Sequence, residues 1–191
     1  MEIHGTIQRI EVRSMQNRKF SIRDMCYCAI FAALMAICAQ IQIPAYVVSI
    51  TLQTFIIFLV LLTLGGFRGT VAVGLYLLLG AVGLPVFSGF RGGISVFCME
   101  SGGFLIGFML TSLVYWAISA AFKPRKWGKL LALAIAMIPC YGLGIYWIFR
   151  FFSRIVTWQD YLSALAIFLI PDSIKCALAW IISKRLQRFM K

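Results

Sequence analysis

The stretch IFLIPDSIKCALAWII, residues 167–182, is apolar except for Ser173 and two opposite charges, Asp172 and Lys175. A helix needs roughly 20 such residues to cross the hydrocarbon core of a membrane. Asp172 and Lys175 stand three residues apart, so on a helix they share one face. Ionisable groups inside a membrane span are costly and turn toward a partner or a cavity. Pro171, directly before them, lacks a backbone donor, loosens the helix and frees a carbonyl. Two roles fit: an ion pair closing two helices together, or the polar part of a pocket for a small solute. In a pocket, Lys175 supplies a cation for a carboxylate, and Asp172 accepts hydrogen bonds from N–H groups.

The rest of the chain shares this apolar character. Of its 191 residues, 62% are hydrophobic and the mean hydropathy is +0.93, whereas soluble domains are nearer half apolar. Acidic residues number six: Glu2, Glu11, Asp24, Glu100, Asp160 and Asp172. So few charges cannot coat a soluble globule. The composition predicts an all-α integral membrane protein with a single helical bundle. Six apolar stretches are expected as transmembrane helices, at about 25–43, 52–66, 69–84, 104–122, 130–149 and 163–183. The second is short for a span, so it is expected to be either partly irregular or shielded by neighbours. Residues 1–24 read as a basic arm and 25–191 as the membrane domain. The arm shows no apolar core of a cleavable signal, and Met15 or Met25 could also serve as a start.

The basic residues fix an expected orientation. An even number of spans puts both termini on one side. That side would hold fourteen Lys and Arg residues, and the other only Arg91, Arg150 and Arg154. The bias places both termini in the cytoplasm. The net charge of +12 therefore belongs to loops between spans, where it can meet lipid headgroups. It is not interleaved with aromatics as nucleic-acid binding would require. The 85–103 connection then faces outward, as does the entry to the last span.

Several local patterns bear on function. GLPVFSGFRGGISVF, residues 83–97, is rich in glycine yet carries Phe87 and Phe90. It is too apolar for a free loop, and irregular backbone at a membrane survives where it is covered or lines a cavity. It is expected to fold back over the bundle as a lid, bringing Phe87, Ser88 and Arg91 with it. Glu100 lies just before Gly103-x-x-x-Gly107, a spacing that suits close helix contact. Ala29-x-x-x-Ala33 and Ala32-x-x-x-Ala36 in the first span allow the same, within the chain or with a partner. In CYGLGIYWIF, residues 140–149, Tyr141, Tyr146 and Trp147 suit either a pocket wall or an interfacial belt.

Other functions are disfavoured. The single histidine, His4, lies in the arm, so His-based metal or triad chemistry has no basis. The cysteines sit mostly in apolar stretches, and Cys26-x-Cys28 presents two different helix faces. No Gly-Lys-Ser/Thr phosphate loop occurs. The chain reads as a solute binder, not an enzyme, with no cofactor, drawing energy from another component.

Four segments together carry a family resemblance: PAYVVSITLQTFIIFL (44–59), LYLLLGAVGLPVFSGFRGGISV (75–96), SGGFLIGF (101–108) and IPDSIKCALA (170–179). Over residues 22–186 the chain resembles the biotin-specific S-components of energy-coupling factor (ECF) transporters, the BioY family. The resemblance implies a six-helix S-component fold in the plasma membrane of a prokaryote. It implies capture of biotin from outside, with a transmembrane coupling protein and two ABC ATPases as partners. It also implies that Ala29 and Ala33 dock on the coupling protein and that Asp172 and Lys175 belong to the biotin site. The carboxylate, ureido ring and apolar thiophane of biotin complement a Lys, an Asp and aromatic walls. Lys175 is then expected on the carboxylate and Asp172 on a ureido N–H. One departure stands out: where the family pattern is Gly-Pro-Thr-Gly-Gly-like, this chain reads Met99-Glu100-Ser101-Gly102-Gly103. A biotin precursor, another small carboxylate-bearing solute or a stand-alone carrier remain the alternatives.

Overall fold

A computed structural model describes residues 20–43, 50–122, 124, 126–151 and 157–190. Most of the basic arm, the tip of the first connection and residues 152–156 of the expected interfacial stretch lie outside the described residues. Within them the chain forms six α-helices: α1 Ile22–Gln40, α2 Gln53–Leu64, α3 Gly66–Ala81, α4 Gly102–Phe122, α5 Lys126–Phe151 and α6 Trp158–Phe189. Two short strands, β1 Gln42–Ile43 and β2 Ile50–Thr51, pair antiparallel between α1 and α2, where the sequence suggested only a connection. A 3₁₀ turn, Ile94–Cys98, precedes α4.

The six apolar stretches are thus six helices, but they differ in kind. α1, α4, α5 and α6 contain stretches long and apolar enough to cross a membrane. α2 and α3 have only 12 and 16 residues. Burial explains the shortness of α2: every residue from Ile56 to Leu62 is buried. A helix apolar all round belongs inside a bundle, so neighbours rather than lipid satisfy its surface. The expected connection between the second and third spans shrinks to one residue. Gly65 adopts φ +84°, a conformation that costs glycine little and branched residues much.

The bundle exposes a continuous apolar face on α6, while polar and charged groups lie within its largely apolar interior. Ile167, Ile170, Ile174, Leu178 and Ile181 of α6 are exposed, while Asp172, Lys175, Gln53, Thr111 and Ser112 are buried. A water-soluble bundle does not expose such a continuous apolar face while burying an ion pair. Together with the four span-length helices, this makes the chain a multi-pass membrane protein.

Close contacts position α4 on α5. A Cβ added at Gly107 would come within 2.9 Å of the Cys140 Cα, and one at Gly103 within 2.3 Å of the Trp147 Cβ. The glycine pair therefore packs two helices within the chain, as small residues do between membrane helices. α6, by contrast, packs chiefly on α2 and touches α5 far less. The looser α5–α6 seam is where a cavity opens.

The two ends of the bundle are chemically distinct. At one, Arg68 pairs with Asp24 at 3.0 Å, Gln187 donates to the Leu62 carbonyl at 2.6 Å, and Trp127 packs at a tilt against Trp180. Arg23, Lys184, Arg185 and Arg188 belong to these same helix ends. At the other end lie the β1–β2 pair and the 83–101 connection.

Candidate functional site

At the loop-bearing end, a cavity of about 190 Å³ opens between α2, α4, α5 and α6. Its floor is polar. Asp172 and Lys175, 6% and 9% exposed, pair through Oδ1 and Nζ at 2.8 Å. Lys175 Nζ also donates to the Thr51 carbonyl at 2.7 Å and to Thr54 Oγ1 at 3.0 Å. Three acceptors thus occupy the three hydrogens of an ammonium group. Asp172 Oδ1 further accepts from the Thr54 hydroxyl at 2.9 Å, and Oδ2 from the Tyr141 hydroxyl at 2.8 Å. A carboxylate has about four acceptor positions, so Asp172 keeps one for another donor. Pro171 precedes Asp172 on α6, and Pro139 lies two residues before Tyr141 on α5. Both floor helices therefore carry a proline beside the groups they present.

The walls are apolar: Phe104, Leu105 and Phe108 of α4, Met137 of α5 and Phe168 of α6. The Phe104 and Phe168 rings approach to 5.3 Å between centroids.

The glycine-rich connection forms the roof. It doubles back on itself, with Phe87 and Arg91 exchanging backbone hydrogen bonds in both directions. Gly89 and Phe90 turn the chain at φ +73° and +56°. Phe87 is buried beneath this turn, edge-on to both Tyr76 and Phe97. Gln40, the last residue of α1, holds the turn from both sides. Its Nε2 donates to the Phe87 carbonyl at 3.0 Å, and its Oε1 accepts from the Phe90 N–H at 2.9 Å. Tyr76 donates to the Val86 carbonyl at 3.1 Å and accepts from Gln53 Nε2 at 3.0 Å. Ser88 donates to Gln42. The expected lid is therefore a folded, multiply anchored roof.

The rim carries a second ion pair. Arg91 Nη1 meets Glu100 Oε1 at 2.8 Å, with side chains 47% and 26% exposed. The hydrogen bond from Arg91 holds the Glu100 carboxyl below the ordinary carboxylate range. Glu100 is accordingly ionised at neutral pH, and the pair is lost only as pH falls through that lowered value.

The residues singled out in the sequence fall into three groups. Asp172, Lys175, Tyr141, Phe87, Ser88, Arg91 and Glu100 all line this cavity. Trp147 stands behind the roof and donates its indole N–H to the Met99 carbonyl at 3.0 Å. Ala29 and Ala33 are exposed on α1, remote from the cavity. Sequence reasoning missed Gln40, Gln42, Gln53 and Thr54. Polar residues so close to apolar runs were the available signal; the partners that give them a role lie tens of residues away.

The chain's sequence matches the model of the BioY family over residues 14–191. It is a member of the BioY family. It is 37% identical over 171 residues to the biotin transporter BioY of Thermotoga maritima, covering 87% of this chain and 97% of that one. It is 32% identical to the probable biotin transporter BioY of Pyrococcus horikoshii, covering 86% and 96%. Its fold is similar to the crystal structure of the S-component for biotin from an ECF-type ABC transporter. The TM-score is 0.77 at 27% identity, covering 87% of this chain and 92% of that one. BioY relatives are transporters, and this member is not an enzyme.

Proposed function

We propose that this BioY-family chain captures biotin in the cavity, as the S-component of an ECF transporter in a prokaryotic plasma membrane. The observation that carries this is the buried Asp172–Lys175 pair, hydrogen-bonded to Thr54 and Tyr141, at the base of a roofed cavity with apolar walls. The ureido ring of biotin sits at this floor, with one N–H on the free acceptor position of Asp172. Its thiophane lies against Phe104 and Phe168. Its carboxylate lies at the rim on Arg91, whose guanidinium offers five donors. These roles reverse the sequence expectation for Lys175. An ammonium with three acceptors in place would have to lose one to take a carboxylate, and burying that anion costs more than leaving it at the wet rim.

The chain spans the membrane six times, with α2 and α3 sheltered by the longer helices. Both termini are cytoplasmic, because basic residues gather at the end opposite the cavity. The cavity then opens outward. The exposed Ala29–Ala33 face of α1 docks on the coupling protein, and two ABC ATPases drive uptake.

Two experiments test this. Labelled biotin should bind detergent-purified protein saturably; no saturable binding sinks the biotin assignment. Ala29→Trp and Ala33→Trp should abolish co-purification with the coupling protein while leaving biotin binding within about two-fold, since neither residue touches the cavity. Normal assembly of both variants rules out docking through this face.

A further inference from the structure

The four charged side chains lining the cavity cancel: Arg91 and Lys175 against Asp172 and Glu100. An anionic ligand therefore enters a balanced site and leaves it with one negative charge in excess. Glu100 also occupies part of the same guanidinium that would receive a carboxylate, through Nη1 at 2.8 Å. The two pairs respond differently to such a ligand. The floor pair is buried and shares the hydroxyl of Thr54. The rim pair is exposed, and exposed pairs are cheap to open.

Resting on the biotin reading, we propose that Glu100 is a specificity residue. With Arg91 it makes a two-signed rim that accepts biotin conjugates ending in an amino-acid group, as well as biotin. In Nε-biotinyl-lysine the biotin carboxyl is an uncharged amide. The four-carbon stem is long and flexible enough to fold back over the rim, and it brings an α-ammonium and an α-carboxylate to the Arg91–Glu100 pair. The carboxylate pairs with Arg91 and the ammonium with Glu100, so one ion pair becomes two and the charge stays balanced. Biotin gains only the first contact and meets the Glu100 carboxylate as a like charge. The chemistry suits a substrate released by proteolysis of proteins that carry biotin on lysine.

Competition against labelled biotin, with biotin and Nε-biotinyl-lysine as competitors, tests the proposal on detergent-purified full-length protein. Wild type should bind biotinyl-lysine within about ten-fold of biotin, because rim contacts offset the altered tail. Glu100→Gln should tighten biotin and weaken biotinyl-lysine, moving their ratio by about ten-fold or more. Glu100→Asp, which keeps the charge, should hold the wild-type ratio within about three-fold. A ratio unmoved by Glu100→Gln, or an equal loss for both ligands, overturns the specificity role. So does wild-type binding of biotinyl-lysine more than about 100-fold weaker than biotin. Failure of wild type to bind biotin at all is a different result, and fells the biotin assignment itself.

Discussion

The floor and the rim of the cavity use the same chemistry, one cation and one carboxylate at 2.8 Å, under opposite conditions. The floor pair is buried and woven into Thr54, Tyr141 and the Thr51 carbonyl. The rim pair is exposed, with a single charge-to-charge contact. Burial makes the floor pair expensive to break, since removing one partner strands a charge away from water. Exposure makes the rim pair nearly neutral for stability. One fold thus holds a fixed ion pair and an adjustable one, and burial together with the surrounding hydrogen bonds sets the difference.

The largest effect should come from breaking the floor. Lys175→Ala should lower stability by about 3–5 kcal/mol, the usual cost of orphaning a buried charge, and weaken biotin binding more than about 100-fold. Asp172→Asn, which keeps the shape, should cost less stability and still lose about 100-fold in affinity, because a donor replaces an acceptor at the ureido N–H. Thermal unfolding in detergent and equilibrium binding read both quantities. Retention of wild-type affinity by Asp172→Asn would falsify the floor assignment.

Arg91→Ala should separate the two pairs. Affinity for biotin should fall about 10–100-fold, as expected for loss of a charge-assisted bond, while the unfolding temperature stays within a few degrees. If unfolding shifts as far as in Lys175→Ala, the rim is structural and the contrast collapses.

Gln40→Ala should have the smallest effect. It removes both hydrogen bonds to the roof without touching either ion pair. Biotin should dissociate about three- to ten-fold faster, since each lost neutral bond is worth about 1 kcal/mol. A stopped-flow chase with unlabelled biotin would show it. An unchanged off-rate means that Gln53–Tyr76 and the packing of Phe87 hold the roof unaided.

The helices were legible in the sequence, because apolar length records a bilayer directly. So was the floor, because Asp172 and Lys175 are anomalies in an apolar run. The shortness of α2 was visible as a short stretch, but its cause was not: full burial depends on neighbours from four other helices. Gly65 as a one-residue joint was hidden inside LGGFRG, where any of three glycines suited a turn. Trp147 could have been wall or belt on sequence grounds, and the structure gives it the Met99 carbonyl behind the roof. Lys175 looked free to take a ligand carboxylate because its acceptors include the Thr51 carbonyl and the Thr54 hydroxyl, 124 and 121 residues away in the sequence. Saturation of a donor is a property of three-dimensional neighbours and leaves no trace in local spacing.

α1 is one unbroken helix with the Ala29–Ala33 face near its middle and Gln40 at its end. Mechanically, that makes it a lever. Ala29 and Gln40 are eleven residues apart, about 16 Å along the axis at 1.5 Å per residue. A tilt of about 5° pivoting at Ala29 would swing Gln40 through about 1.4 Å over that length. Displacement on that scale parts hydrogen bonds of 2.9 and 3.0 Å. Whatever grips the middle of α1 therefore has its hand on the roof over the cavity.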